Sequence, residues 1–131
     1  MGKQSSLKPL PEDWDRALAV AAHPDDLEYG AASAIARWTS QGKKGNYILV
    51  TRGEAGIDSI HPQAAGPLRP THAVDVTSFL DRGIDSLKQH GVYLENLSSA
   101  FNPEAFLRKN AAETGKRLGC RFAVSFEIIN I

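Results

Sequence analysis

The stretch "AVAAHPDDLEYGA", Ala19 to Ala31, joins an apolar run to a histidine, a proline and two aspartates, and its reading decides the fold. Upstream, "RALAVAA" (Arg16 to Ala22) is short and apolar, and its length and context favour a buried strand. Downstream, Asp25 reads as a helix N-cap, with Glu28 three places on as its capping-box partner. Leu27, Ala31, Ile35 and Trp38 share one face at helical spacing, and Gly42 is a natural stop. "NYILVT", Asn46 to Thr51, then reads as a second buried strand. The intervening helix is long enough for a crossover, so the two strands run parallel in a βαβ unit of an α/β fold.

The next stretch, Arg52 to Thr71, is rich in Gly, Pro and Ala, shows no period and reads as a long loop, a kind usually functional or disordered. Ala73 to Val76 suits a short strand. Ser78 and Asp81 form a capping pair, after which Leu80, Ile84, Leu87, Leu94 and Leu97 mark one helix face, with Gly91 a weak point. Asn102, Pro103 and Glu104 make a strong helix start, and that helix should run to Leu118 and end at Gly119. Phe122, Val124, Phe126 and Ile128 alternate as in a terminal strand. The start, "MGKQSSLKPLPEDW", is polar, holds two prolines and lacks the apolar centre of a secretory signal. Residues 1–15 therefore read as a flexible N-terminal arm before a single domain over 16–131.

A chain of 131 residues suffices for one domain and one core. Its 42% hydrophobic and 23% charged content is that of a soluble globular protein. Fifteen basic residues balance fifteen acidic ones, so charge gives no reason to expect nucleic acid or an anionic membrane as partner. The lone Cys120 forms no internal disulfide and fits a reducing, cytoplasmic compartment. No run reaches the roughly 18 to 20 apolar residues of a membrane helix.

In parallel α/β sheets, ligands bind outside the carboxyl ends of the strands. His23, Asp25 and Asp26 follow the first strand; Thr51, Arg52 and Glu54 follow the second. If the strands are neighbours, both sets line one crevice. His23 and Asp26, three apart across a turn stiffened by Pro24, can take two corners of a tetrahedral zinc site. Asp25 is placed to act as a base toward a metal-activated water, and Arg52 to orient a substrate oxygen. The same aspartates also serve as ordinary helix caps, the histidine as a hydrogen-bonded surface residue and Arg52 as a surface charge. Asp25 can be cap and base at once. No glycine-rich phosphate loop follows either strand, which disfavours a nucleotide-binding domain.

"AHPDDLE" (22–28) and "TRGEAGID" (51–58) together resemble the two signatures of the LmbE-like or PIG-L zinc-dependent N-deacetylases. "VDVTSFLDRGIDSLKQHGVYLENL" and "NPEAFLRKNAAETGKRLGCRFAVSFEII" are similar to the family's carboxyl-terminal segment. The resemblance implies a Rossmann-like parallel sheet with flanking helices. It also implies hydrolytic removal of acetyl from small-molecule N-acetylglucosamine-type substrates. His23 and Asp26 would bind Zn2+ or another divalent metal, Asp25 would be the general base and Arg52 would contact substrate. Glu54 is expected to brace a ligand rather than hold the metal.

The family's later motif, two histidines three apart that supply a further zinc ligand, has no counterpart here. The likeness jumps near Arg69–Pro70 from the second signature to the carboxyl-terminal segment, so the chain reads as an internally shortened member. His61 in the loop and His72 before a strand are candidate substitute ligands, with a solvated histidine as the plain alternative; His90 reads as a surface residue near a helix end. A sheet without interior strands exposes edges and apolar faces, so a rearranged, shortened sheet or self-association into a homo-oligomer is expected. Two functions follow: a zinc-dependent deacetylase, or a catalytically weak relative serving as a metal- or sugar-binding module.

Overall fold

The protein's structure, a computed structural model, describes residues 5–22, 26–50, 67, 69–89 and 102–129. Its centre is the expected strand–helix–strand unit. Strand β2 (Arg16–Ala21) pairs in parallel with β3 (Lys44–Leu49), from Arg16 opposite Lys44 to Ala21 opposite Leu49. The crossover is helical but broken. Helix α1 (Asp26–Tyr29) stops at Gly30, the poorest helix former of the segment, and α2 (Ala32–Ser40) resumes from Ala31. Gly42, at φ 83°, ends α2 as foreseen. The Gly42 amide bonds to the Thr39 carbonyl and the Lys43 amide to the Trp38 carbonyl, the paired pattern of a Schellman turn.

The remaining strands form a second, mixed sheet in the order β1–β4–β5. β1 (Lys8–Pro9) runs parallel to β4 (His72–Asp75), and β5 (Ala123–Phe126) runs antiparallel to β4. The architecture is thus mixed α/β, with an antiparallel pair where a parallel sheet was expected. The physical reason lies at the end of the long helix α4 (Pro103–Leu118). Gly119, at φ 94°, turns the chain back, and Gly115 lets residues 120–121 cross the helix closely enough that a Cβ there would stand 2.6 Å from the carbonyl oxygens of Cys120 and Arg121. β5 therefore leaves α4 by a tight reversal. The start of α4 is as read: the Asn102 side chain accepts from the Ala105 amide at 3.1 Å, with Pro103 in the first turn.

Helix α3 (Leu80–Lys88) buries Leu80, Ile84 and Leu87, the expected face. Its start differs. No side chain caps it; instead the Asp75 carboxylate accepts from both the amide (2.9 Å) and the hydroxyl (2.7 Å) of Thr77, turning the chain out of β4. The buried face of α2 is also rotated from the expected one. Ser33 and Ala34 are buried while Ile35 and Trp38 are only partly so, because α2 approaches α3 where Gly83 leaves no side chain over Ser33.

Tyr29, Leu80, Ile84, Leu87, Leu107 and Ala111 join α1, α3 and α4 in one core cluster. Ala34, Val74 and Val76 form another, flanked by Leu10, Trp38, Phe122, Val124 and Phe126. Residues 5–15 are stitched into this body rather than trailing from it. Leu7 is buried with Ala73 and Ala123, Arg37 grips the Glu12 carboxylate at 2.6 and 3.1 Å, and the Trp14 and Trp38 rings meet edge-on at 5.0 Å. β2 and β3, expected to be buried, are exposed along most of their length.

Candidate functional site

Because β2 and β3 are parallel and in register, their carboxyl ends lie side by side. The Val50 amide donates to the Ala21 carbonyl at 3.0 Å, carrying the ladder one residue past β3. The segments after Ala22 and after Val50 therefore depart from one edge of the ribbon, the condition on which the shared crevice depends.

Asp26 opens α1 and is half-buried. Three contacts of α1 hold it there. Tyr29 is buried in the core and meets the Phe106 ring edge-on at 6.3 Å. The Ser86 hydroxyl donates to the Glu28 carboxylate at 3.3 Å, so Glu28, read as a capping-box partner, reaches across to α3. The Gly30 and Ala31 amides close on the Leu27 carbonyl at 3.2 and 2.8 Å. His23, Asp25, Arg52, Glu54 and His61, like Pro24, Thr51 and His90, lie outside the described residues.

His72 opens β4, opposite Phe126 of β5, with its Nδ1 2.8 Å from the Thr71 hydroxyl. The Phe126 ring lies 5.5 Å from that of Trp38, near the end of α2. Asp26 precedes the other end of that helix. At about 1.5 Å per residue, the nine residues of α2 advance about 13 Å. Trp38 therefore stands most of a helix length from the Ala32 start of α2. Among the described residues no group of three or more His, Cys, Asp or Glu side chains is gathered to hold a metal ion.

One polar network among the described residues is not announced by the sequence. Arg37 donates to the Glu12 carboxylate and, at 3.0 Å, to the Asp75 carbonyl. The Arg37 bond holds the Glu12 carboxyl below its ordinary range despite partial burial. Burial pushes Asp75 up, but the two Thr77 bonds, the Cys120 thiol and the Arg37 charge together bring the net shift downward. Cys120, whose thiol donates to the Phe122 carbonyl at 3.3 Å, is pushed up by burial and then by the Asp75 charge. A thiol so placed is a structural group rather than a nucleophile. Glu12, Arg37 and Asp75 lie 25 and 38 positions apart, so no local motif could have revealed the network.

Comparison with known proteins bears on the ribbon directly. Residues 18–81 match the family model described as PIG-L: GlcNAc-PI de-N-acetylase. Residues 18–81 are the segment of this chain similar to the PIG-L family. A stretch of 43 residues is 40% identical to a protein of Escherichia coli (strain K12) named "Uncharacterized deacetylase YaiS". That stretch is 33% of this chain and spans 23% of the relative's length. The PIG-L segment takes in most of β2, all of α1, α2, β3 and β4, and the first two residues of α3. Both signature stretches lie inside it.

Proposed function

We propose that this chain is a shortened metal-dependent N-deacetylase that acts on N-acetylglucosamine-type substrates, built around the first parallel pair of a Rossmann-like sheet. The observation that carries the reading is the in-register β2–β3 pairing inside the PIG-L segment. It sends the two signature stretches out from adjacent strand ends, where parallel α/β sheets bind ligands.

His23 and Asp26 would hold Zn2+: an imidazole and a carboxylate are donors zinc takes, and α1 fixes Asp26 through its packing on α3. Zinc, when bound, makes water acidic enough to ionise near neutral pH and polarises an amide carbonyl. Asp25 would take the proton of the attacking water and return it to the departing amine. Arg52 would orient the substrate's oxygen, and Glu54 would brace the site. A catalytic zinc has three protein ligands, and His61 or His72 is the candidate third. His72 opens β4, and His61 lies outside the described residues. The join near Arg69–Pro70 would then account for the missing later histidines.

The deciding measurement is amine release from an N-acetylglucosaminyl substrate. Asp25→Asn should lower the rate by about a hundred- to ten-thousand-fold. Equal background rates in both chains would remove the enzyme and leave a metal- or sugar-binding module, detectable by zinc content and by sugar titration. With activity present, His61→Ala and His72→Ala should show which histidine completes the site: the variant that loses activity names it, and unchanged activity in both would remove this part of the reading.

A further inference from the structure

Helix α1 is too short to hold its own place. It has four residues, and isolated helices below roughly 12 residues are marginal in water. Gly30 parts it from α2, so it is not the rigid first turn of a longer helix. Its support comes from α3. Tyr29, 5% exposed, sits among Leu80, Ile84 and Leu87. One buried side chain fixes where a short helix lies but leaves it free to turn about its own axis. A contact from a second side chain removes that freedom. The Ser86 hydroxyl, donating to the Glu28 carboxylate at 3.3 Å, is such a contact. Consecutive residues stand about 100° apart around a helix, so Glu28 and Tyr29 together set the rotation of α1. Asp26, three residues before Tyr29, lies on the same side of the helix as it. The direction of the Asp26 carboxylate therefore follows from that rotation.

We propose that Ser86 is a positioning residue for the metal site: through Glu28 it holds α1 at the rotation that presents the Asp26 carboxylate to the ion. The proposal rests on the reading of Asp26 as a zinc ligand. It extends that reading to a residue beyond the PIG-L segment, which ends at residue 81. Ser86 stands 58 positions after Glu28, so the part of the chain that follows the segment braces the part that carries the signature. The flanking residues of α3 do other things: Leu87 is buried in the core and Asp85 is exposed. Groups that orient a metal's ligands typically contribute about 10- to 100-fold in metal affinity. A hydroxyl 3.3 Å from a carboxylate oxygen is a long hydrogen bond, which places Ser86 at the lower end of that range.

The test is the zinc affinity of the full chain, measured by competition with a chromogenic chelator. The visible spectrum of the Co2+-loaded chain is a second readout, and urea unfolding without metal is the check on packing. Ser86→Ala should weaken zinc binding about tenfold and change the Co2+ bands, with the metal-free urea midpoint unmoved. Ser86→Thr, which keeps the hydroxyl, should restore both. Asp85→Ala, on the exposed side of α3, should change neither. In a Glu28→Leu background the hydroxyl has lost its acceptor, so adding Ser86→Ala should weaken zinc binding no further. Native zinc affinity in Ser86→Ala would overturn the proposal and leave the metal site standing. So would a loss that Ser86→Thr does not recover and that tracks a fall in the urea midpoint, because Ser86 would then only pack. A native chain that takes up no zinc would overturn the metal reading itself, and this proposal with it.

Discussion

A single missing methyl directs the chain from α4 into β5. Gly115 is buried, and a Cβ there would sit 2.6 Å from two backbone carbonyl oxygens, which cannot swing aside as a side chain can. Gly115→Ala should therefore destabilise the protein by about 1–3 kcal/mol, despite alanine's better helix propensity. Urea unfolding would show it; a gain in stability would mean that the reversal is loosely held. The Glu12–Arg37 pair makes a pH prediction at the same scale. The folded Glu12 carboxyl titrates below its ordinary value of 4.5. Its contribution is thus complete above that value and is lost as pH falls through the folded pKa. The stability difference between the native chain and Glu12→Gln should shrink as pH falls below about 5. A difference in thermal midpoint that does not change with pH would show that the ion pair contributes nothing. Both features escaped the sequence for one reason: each joins residues whose proximity only the fold creates. The Asn102 cap and the glycines at 42 and 119 were legible because a cap or a left-handed turn is decided within a few residues.

At the level of elements, the periodic segments were legible and their environments less so. α3 buried its expected face, but α2 turned Ser33 and Ala34 inward in place of a larger aliphatic row, because α3 comes close at Gly83. A methyl at Gly83 would meet the Ser33 hydroxyl. Gly83→Ala should cost stability, and adding Ser33→Ala should restore part of it. Chemical denaturation of the two single variants and the double variant gives the coupling directly; strictly additive losses would deny the contact. β2 and β3 teach the complementary lesson. Their apolar runs read as buried strands because parallel strands ordinarily have both faces covered, and a run of residues carries no record of whether the covering layer is present. Much the same limit applies to the candidate site. The two signature stretches followed from local pattern, and the pairing of the strands they follow came from strand order. The third ligand that the proposed site would need depends on which distant residue folds back, and no local pattern records that; His72, one candidate, opens β4 opposite Phe126.

For the molecule as a whole, the first fifteen residues decide more than their composition suggests. They are polar and proline-bearing, which reads as an arm, yet Leu7 completes a buried cluster and β1 forms one edge of the three-stranded sheet. The Lys43 ammonium binds the carbonyls of Glu12 and Trp14 while lying 4.7 Å over the Trp14 ring. The Lys44 amide donates to the Asp15 carbonyl at 2.9 Å, tying the start of β3 to the same segment. The arm thus bridges the two sheets: its beginning pairs with β4 and its end holds the start of β3. Leu7→Ala should cost about 2–5 kcal/mol, as for other buried leucines. Removal of residues 1–11 should cost more, since it also removes the β1 pairing and bares the edge of β4. The scale of that loss matters in a chain of this size, because typical domains hold only about 5–15 kcal/mol in reserve. Truncation is therefore expected to abolish the cooperative urea transition, while Leu7→Ala only moves its midpoint. If the truncated chain unfolds with the native midpoint and slope, β1 contributes nothing, and the three-stranded sheet must be stable as β4 and β5 alone.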